Sequence, residues 1–278
     1  MNPKTQQKII KVILWANALL TFTIMAIIIF YILSQGLGKI NTEFLLGQPR
    51  QMGAEGGIFP AIVSTVFFTL ITIIIAVPLG TATAIYLTEY SRKNRWTNLM
   101  RFGIEMLSAV PSIIFGLFGY VLFVVILKPI TGGWSILSGA LTGVIMMLPI
   151  LIKSAEEAIK ALPKEYKEAS LALGASREQT ILRVLIPSAM PGILTGVILG
   201  IGRIIGETAA FLLTLGGSVL IPGSVFDPAR TLAMHIYLTA MEVGAMDMAF
   251  GAAAVLVLTI LALNLTAHVI VGRFAKQT

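Results

Sequence analysis

Residues 59–86 read FPAIVSTVFFTLITIIIAVPLGTATAIY, a run without a single charged side chain. As a helix it would be about 42 Å long, enough to cross a hydrocarbon layer of roughly 30 Å with some tilt. Such a run is apolar on every face, so it belongs in lipid or in the centre of a helical assembly. Working outward, comparable runs lie at about Val12 to Leu33, Phe102 to Leu127, Ile136 to Ile152, Ala189 to Leu215 and Phe250 to Val271, which makes six spans. The 278 residues are 56% hydrophobic and only 12% charged, with a mean hydropathy of +0.91, outside the balance of a water-soluble domain. The expected fold is an all-α polytopic membrane protein, one transmembrane domain over residues 1–278.

The absence of cysteine removes disulfides, thiolate metal sites and cysteine nucleophiles. His235 and His268 are too distant in sequence to form a helix-borne metal pair. Lys4, Lys8 and Lys11 before the first span resemble the start of a signal peptide, but the apolar stretch is too long and no A-x-A site follows, so a retained anchor is expected. The formal charge of +7 points to anionic lipid and to topology rather than to nucleic acid. Basic residues alternate strongly between connections. Fifteen fall in the N-terminal segment (the three lysines), the second connection (Arg92, Lys93, Arg95, Arg101), the fourth (Lys153, Lys160, Lys164, Lys167, Arg177, Arg183) and the C-terminal segment (Arg273, Lys276). Only Lys39, Arg50, Lys128 and Arg230 fall on the other side, so both termini are expected in the cytoplasm.

Pro78 and Pro149 each remove one backbone hydrogen bond inside a span, a source of bends. Gly192, Gly196 and Gly200 repeat every four residues in span five, and Gly139 and Gly143 do the same in span four. Smooth ridges of this kind let helices approach closely.

The longest cytoplasmic connection, about 153–187, has the grammar of two short helices with a sharp turn between them. Pro163 sits near the first start, Gly174 supplies a residue able to take φ > 0 at its end, and Ser176 with Gln179 forms a capping box before Pro187 closes the segment. Tyr166, Ala169, Ser170 and Leu173 share one face, suited either to a groove on another protein or to lipid headgroups. No G-x-x-x-x-G-K-[ST] loop occurs, so a nucleotide-driven process would need a partner that carries the ATPase.

Glu168, Ala169, Ser170 and Gly174, followed by Val184, Ile186 and Pro187, resemble the E-A-A, three residues, G, nine residues, I-x-L-P signature of ABC importer permeases. Serine replaces the second alanine, and valine and isoleucine stand at the two later aliphatic positions. The resemblance implies a type I ABC importer permease fold in which Glu168, Ala169, Ser170 and Gly174 belong to a coupling helix seated on an ATP-binding subunit.

Span five also contains Gly202-Arg203-Ile204-Ile205-Gly206-Glu207-Thr208-Ala209. On a continuous helix Arg203 and Glu207, four apart, share one face near mid-membrane. Each costs about 2.5 to 3.5 kcal/mol at that depth, so both must meet partners, water or substrate. The pair either sets helix rotation or lines a path. On a path, the guanidinium fork suits a tetrahedral oxyanion, and a carboxylate that accepts a proton favours hydrogen phosphate over unprotonated sulfate.

The same stretch is similar to the R-A-x-G-E-T-A element of phosphate ABC transporter permeases, with Ile204 in place of alanine. Gly56 to Ile62 resembles their G-G-I-x-P-A-I element, and Val110 to Gly119 their V-P-S-I-x-F-G-L-F-G segment. The short N-terminus and Phe226-Asp227-Pro228-Ala229-Arg230-Thr231-Leu232 look like the PstA-type subunit. This implies a bacterial or archaeal cell (inner) membrane, a second PstC-type permease, two PstB-type ATP-binding subunits carrying ATP and Mg, and an external PstS-type phosphate-binding protein. It also implies substrate contacts at Arg203, Glu207 and Thr208, with no catalysis and no cofactor in this chain. Asp227 and Pro228 read as the N-cap and first turn of a short helix in the external loop, about 216–249, as a docking surface, a gate or a lid. A sulfate or molybdate importer, a secondary transporter or channel, and a membrane-embedded enzyme using Glu207 as base are the competing functions.

Overall fold

The computed structural model describes residues 3–92 and 94–274. Lys93 and Lys276 lie outside the described residues, as does the side chain of Arg273. Helix α1 (Pro3–Gly36) is followed by the short α2 (Thr42–Leu46) and a small hairpin of β1 (Pro49–Arg50) and β2 (Glu55–Gly56). Helix α3 (Phe59–Ile85) runs on through a π turn to Tyr90. Then come α4 (Arg95–Ala109), α5 (Ser112–Gly119), α6 (Lys128–Thr131), α7 (Ile136–Lys160), α8 (Lys164–Ala172) and α9 (Arg177–Thr180). The chain ends with α10 (Ile186–Ile205), α11 (Ala209–Thr214), α12 (Leu232–Leu238) and α13 (Met246–Phe274).

Five of the six spans are single helices long and apolar enough to cross a bilayer. Span three is the exception. It breaks at Val110-Pro111 into α4 and a second piece, Ser112–Ile126, at 106° to each other. The residue before a proline is pushed out of the helical region, and Val110 is extended here with φ −69° and ψ 130°. Span five also departs from the sequence reading. Helix α9 passes through a π turn at Ile181–Leu185 straight into α10, so Pro187 does not close the connection, and Arg177–Ile205 forms one long helix. Its far end stops at Ile205 with Gly206 as C-cap, and α11 starts afresh at Ala209. By contrast, α3 and α7 run through Pro78 and Pro149 without a break.

The glycine ridges do what their spacing implies. A Cβ on Gly192 would sit 2.4 Å from the Ala158 Cβ, one on Gly196 2.5 Å from the Ser154 Cβ, and one on Gly200 2.4 Å from the Met147 Cε. Helix α10 is therefore laid directly on α7. Gly143 faces Phe68 and Thr72 of α3, and Gly139 faces Leu215, so α7 is wrapped from several sides. Phe68 and Phe211, both fully buried, meet edge to face at 4.5 Å in the middle of this core. Helix α1 stands apart: it touches the rest through its last turns, with Gly36 against the Phe250 backbone and Ala254, and Tyr31 edge-on to Phe250.

The second and fourth connections meet at one end of the bundle. Lys167 pairs with Glu89 at 2.5 Å, the Arg177 guanidinium lies 4.6 Å over the Tyr90 ring, and Arg101 pairs with Glu156, which also holds Lys160 at 2.6 Å. Lys39 pairs with Asp247 at 3.1 Å at the opposite end. This grouping is the one that the basic-residue count requires.

Gly196→Leu should lower the thermal stability of the purified protein by about 1–3 kcal/mol, as overpacking does. Gly202→Ala, whose Cβ meets nothing within 4 Å, should leave the melting curve in place; both are read by thermal unfolding in one detergent.

Candidate functional site

Laying Ala189, Ile193, Gly196, Gly200 and Ile204 on the α7 side turns the opposite stripe of α10 outward: Thr195, Leu199, Arg203 and Gly206 are exposed. Arg203 therefore sits in the last turn of α10, on the face that nothing covers. It has no hydrogen-bond or ion-pair partner among the described residues. Counting from Pro187 at about 1.5 Å per residue, it lies about 24 Å up the helix, two residues short of the helix end at Ile205.

The shared-face ion pair expected from the spacing does not form. The helix ends between the two residues, so the four-residue rule does not apply across Gly206. Glu207 instead turns to the next helix, where its Oε1 accepts the Ala210 N–H at 3.3 Å. Thr208 is the N-cap of α11, yet its side chain makes no capping bond. The arrangement is a discontinuous helix with an arginine on one rim, a carboxylate in the gap and a free hydroxyl on the other rim. Transporters use such breaks because backbone and polar side chains released from helix geometry can line a cavity. The guanidinium offers a planar donor fork, and the second Glu207 oxygen is left for another donor.

At the other end of the molecule, α8 keeps its predicted caps. Pro163 is the N-cap, Gly174 adopts φ +83°, and Ser176 and Gln179 form the reciprocal box with N–H···O distances of 3.2 and 2.9 Å. Ser170 turns inward to bond Thr180 at 2.9 Å, so it ties the two arms of the turn together. Glu168, Ala169 and Gly174 remain exposed, and Leu173 is 90% exposed. No residue of α8 is buried, which leaves its outer surface open to a groove on another molecule.

The loop expected to carry an exposed helix capped by Asp227 is built differently. Asp227 Oδ2 closes a tight turn by accepting the Gly223 and Ser224 N–H groups, both at 2.9 Å. Helix α12 starts four residues later, capped by Thr231, whose hydroxyl accepts the Met234 N–H at 3.3 Å. Leu232, Ala233, Met234, His235 and Leu238 are buried while Tyr237 is exposed, so it is a wedge packed on α13 and α3.

Arg230 and His235, which the sequence reading left without a role, hold this wedge. Arg230 is 3% exposed and donates to the Gly217 carbonyl at 3.1 Å and the Met52 carbonyl at 3.2 Å. The second bond grips a strained turn, since Gln51 and Met52 have φ of 46° and 58°. Burial lowers the proton affinity of the Arg230 guanidinium, and Glu242 opposes that shift. His235 is fully buried beside Thr239 and Gly53, and burial, with the Arg230 charge second, lowers its pKa to about 4. The only hint in the sequence was an arginine and a histidine five apart in an otherwise apolar stretch.

Residues 76–278 match the family of binding-protein-dependent transport system inner membrane components. The chain is 37% identical to the probable ABC transporter permease protein YqgI of Bacillus subtilis, with 96% of each chain covered. It is 35% identical to the phosphate transport system permease protein PstA 1 of Mycobacterium tuberculosis, over 77% of this chain and 70% of that one. A bacterial alginate ABC transporter in complex with an alginate-loaded periplasmic protein has the same fold, with a TM-score of 0.69 at 13% identity, covering 95% of this chain and 93% of that one.

A histidine whose folded pKa is depressed destabilises the fold when acid protonates the unfolded chain first. Stability should be fully present above about pH 6.5 and fall as the pH drops from there towards 4, by about 2 kcal/mol at pH 5. Unfolding curves at pH 7.5 and 5 should show this loss, and His235→Gln should flatten it.

Proposed function

The chain belongs to the family of binding-protein-dependent transport system inner membrane components, as a PstA-type ABC importer permease, and on that premise we propose that it forms half of the pathway of an ATP-driven inorganic phosphate importer. What supports this most is the unpartnered Arg203 on the uncovered face of α10, beside a helix break that holds Glu207 and Thr208. A bare guanidinium in a membrane helix is costly unless it meets water, a partner or an anion, and a path shared with a second permease supplies the first two. Relatives named as phosphate transport permeases support phosphate as the anion.

In this reading Arg203 clamps two oxygens of the phosphate through its fork, and the Thr208 hydroxyl donates to a third. The free oxygen of Glu207 accepts the proton of hydrogen phosphate, so fully ionised sulfate meets only repulsion there. The partners are a PstC-type permease facing the open side of α10, two PstB-type ATPases with ATP and Mg, and a PstS-type binding protein at the outer mouth. Helix α8 and the turn after it dock on an ATPase through the segment of Glu168, Ala169, Ser170 and Gly174, with Ser170 bracing the turn against Thr180 and Leu173 exposed beside it. Both termini then face the cytoplasm of a bacterial or archaeal cell.

Reconstituted into proteoliposomes with its ATPase, the transporter should take up labelled phosphate, and omission of the ATPase should abolish uptake. Arg203→Lys should cut uptake by about 10-fold to 100-fold, the worth of a charged hydrogen bond, with the assembled protein intact. Unchanged uptake in both Arg203→Gln and Glu207→Gln would remove the site from the pathway, and equal uptake of sulfate would remove the proton-acceptor role.

Gly174→Val should weaken co-purification of the ATPase while leaving the permease folded. The residue holds φ +83° with open space around it, so the substitution strains the turn without striking a neighbour.

A further inference from the structure

The sequence reading places the second half of α4 at the start of a transmembrane span, but α4 is bent by 106° away from the helix that follows Pro111. On the α5 side of the break, Gly119 abuts Thr142 of α7. Eleven residues back, Ser108 of α4 is bonded by Lys153, eleven residues further along α7, so to this point the two chains run antiparallel in step. Seven residues further back, Arg101 meets Glu156, which is only three residues beyond Lys153. Over that stretch α4 travels about 10 Å along its own axis while advancing about 4.5 Å along α7. With the 106° bend at Val110-Pro111, this places α4 lying sideways at the depth of Lys153 and Glu156, the end of the bundle that carries α8.

Its two faces differ sharply. Thr97 is buried, Ile104 packs on the cluster around Leu87 and Ala155, and Arg101 donates to the Leu87 carbonyl at 3.1 Å as well as to Glu156. The face beside it carries Trp96, Leu99, Met100, Gly103, Met106 and Leu107, spaced as one helical stripe and covered by nothing; Trp96 is 75% exposed. Basic groups lie near both ends of the stripe. Arg92 and Arg95 have no acidic group within 4 Å among the described residues, and Lys153 holds only a 3.4 Å bond to Ser108. Glu105 is the one acidic side chain of α4 itself, and at about 100° per residue it falls on the side of the helix away from the stripe.

An apolar stripe ending in tryptophan, flanked by free arginines and tied at both ends to membrane-crossing helices, matches an acidic lipid surface in shape and charge. We propose that α4 is an interfacial helix that docks on anionic phospholipid headgroups at the end of the bundle bearing α8. The apolar stripe enters the acyl boundary, and Arg92, Arg95 and Lys153 hold the phosphate groups. Through the Arg101–Glu156 and Lys160–Glu156 pairs, this anchor also sets the position of the end of α7, from which α8 departs.

The chain contains no cysteine, so single cysteines at Leu99, Gly103 and Met106 can carry one probe each; the Gly103 position opens onto free space. With nitroxide labels on the assembled transporter in nanodiscs, the three depths should agree, whereas a crossing helix would separate Leu99 and Met106 by about 10 Å. A fluorophore at Gly103, and independently at Leu99, should be quenched about fivefold more effectively by spin-labelled phosphatidylglycerol than by spin-labelled phosphatidylcholine. The double substitution Arg92→Gln with Arg95→Gln should bring that ratio close to one with an unchanged melting curve. Graded depths, equal quenching by the two lipids, or no lipid quenching at either position because a sister subunit covers the stripe, would each overturn the proposal.

Discussion

Helix α10 lies against α7 along a strip that has no side chains on one side. Gly192, Gly196 and Gly200 bring its backbone so near Ala158, Ser154 and Met147 that even a methyl group would collide. In a bilayer, where apolar surfaces gain little by leaving lipid, such contact is what holds helices together. It also fixes rotation. Once the glycine strip faces α7, the opposite stripe must face away, and Arg203 has no choice of direction. A charged residue on a helix of this kind is thus positioned by residues one and two turns below it rather than by a partner of its own.

Helix α7 carries the same logic to both ends of the molecule. Its first half receives α3, α5 and Leu215 through Gly139, Thr142 and Gly143, its middle receives α10, and its last turns bind Arg101 and Lys160 through Glu156. A displacement at the α8 end therefore acts on the same rigid helix that sets the orientation of Arg203. The wedge at the far end is held differently, by Arg230 bonding two backbone carbonyls from separate loops and by a histidine kept neutral through burial. Packing without side chains governs the interior, and directed polar bonds govern the ends.

Much of this architecture is legible along the chain. Apolar length marks the crossing helices, glycine spacing marks their contact, and the caps at Gly174, Ser176 and Gln179 appear where their residue types allow. These features depend on residues within one or two turns of each other. The failures share a cause as well. Val110-Pro111 and Gly206-Glu207-Thr208 lie inside stretches whose average hydropathy stays high despite Glu105, Arg203 and Glu207, so hydropathy passes over the breaks although the backbone does not. Asp227-Pro228 has the residue types of a helix start, but the Gly223 and Ser224 amides claim the carboxylate first.

By itself, then, the chain determined that it crosses a membrane, which connections share a side, and which residues carry charge where charge is costly, because each is a matter of local composition and period. Only the tertiary structure decided that Arg203 stands alone while Glu207 caps a separate helix, that α4 lies sideways, and that Arg230 and His235 brace a buried wedge. Those outcomes depend on where a helix stops and on which distant backbone groups then need partners, and neither is written in the spacing of residues along one segment.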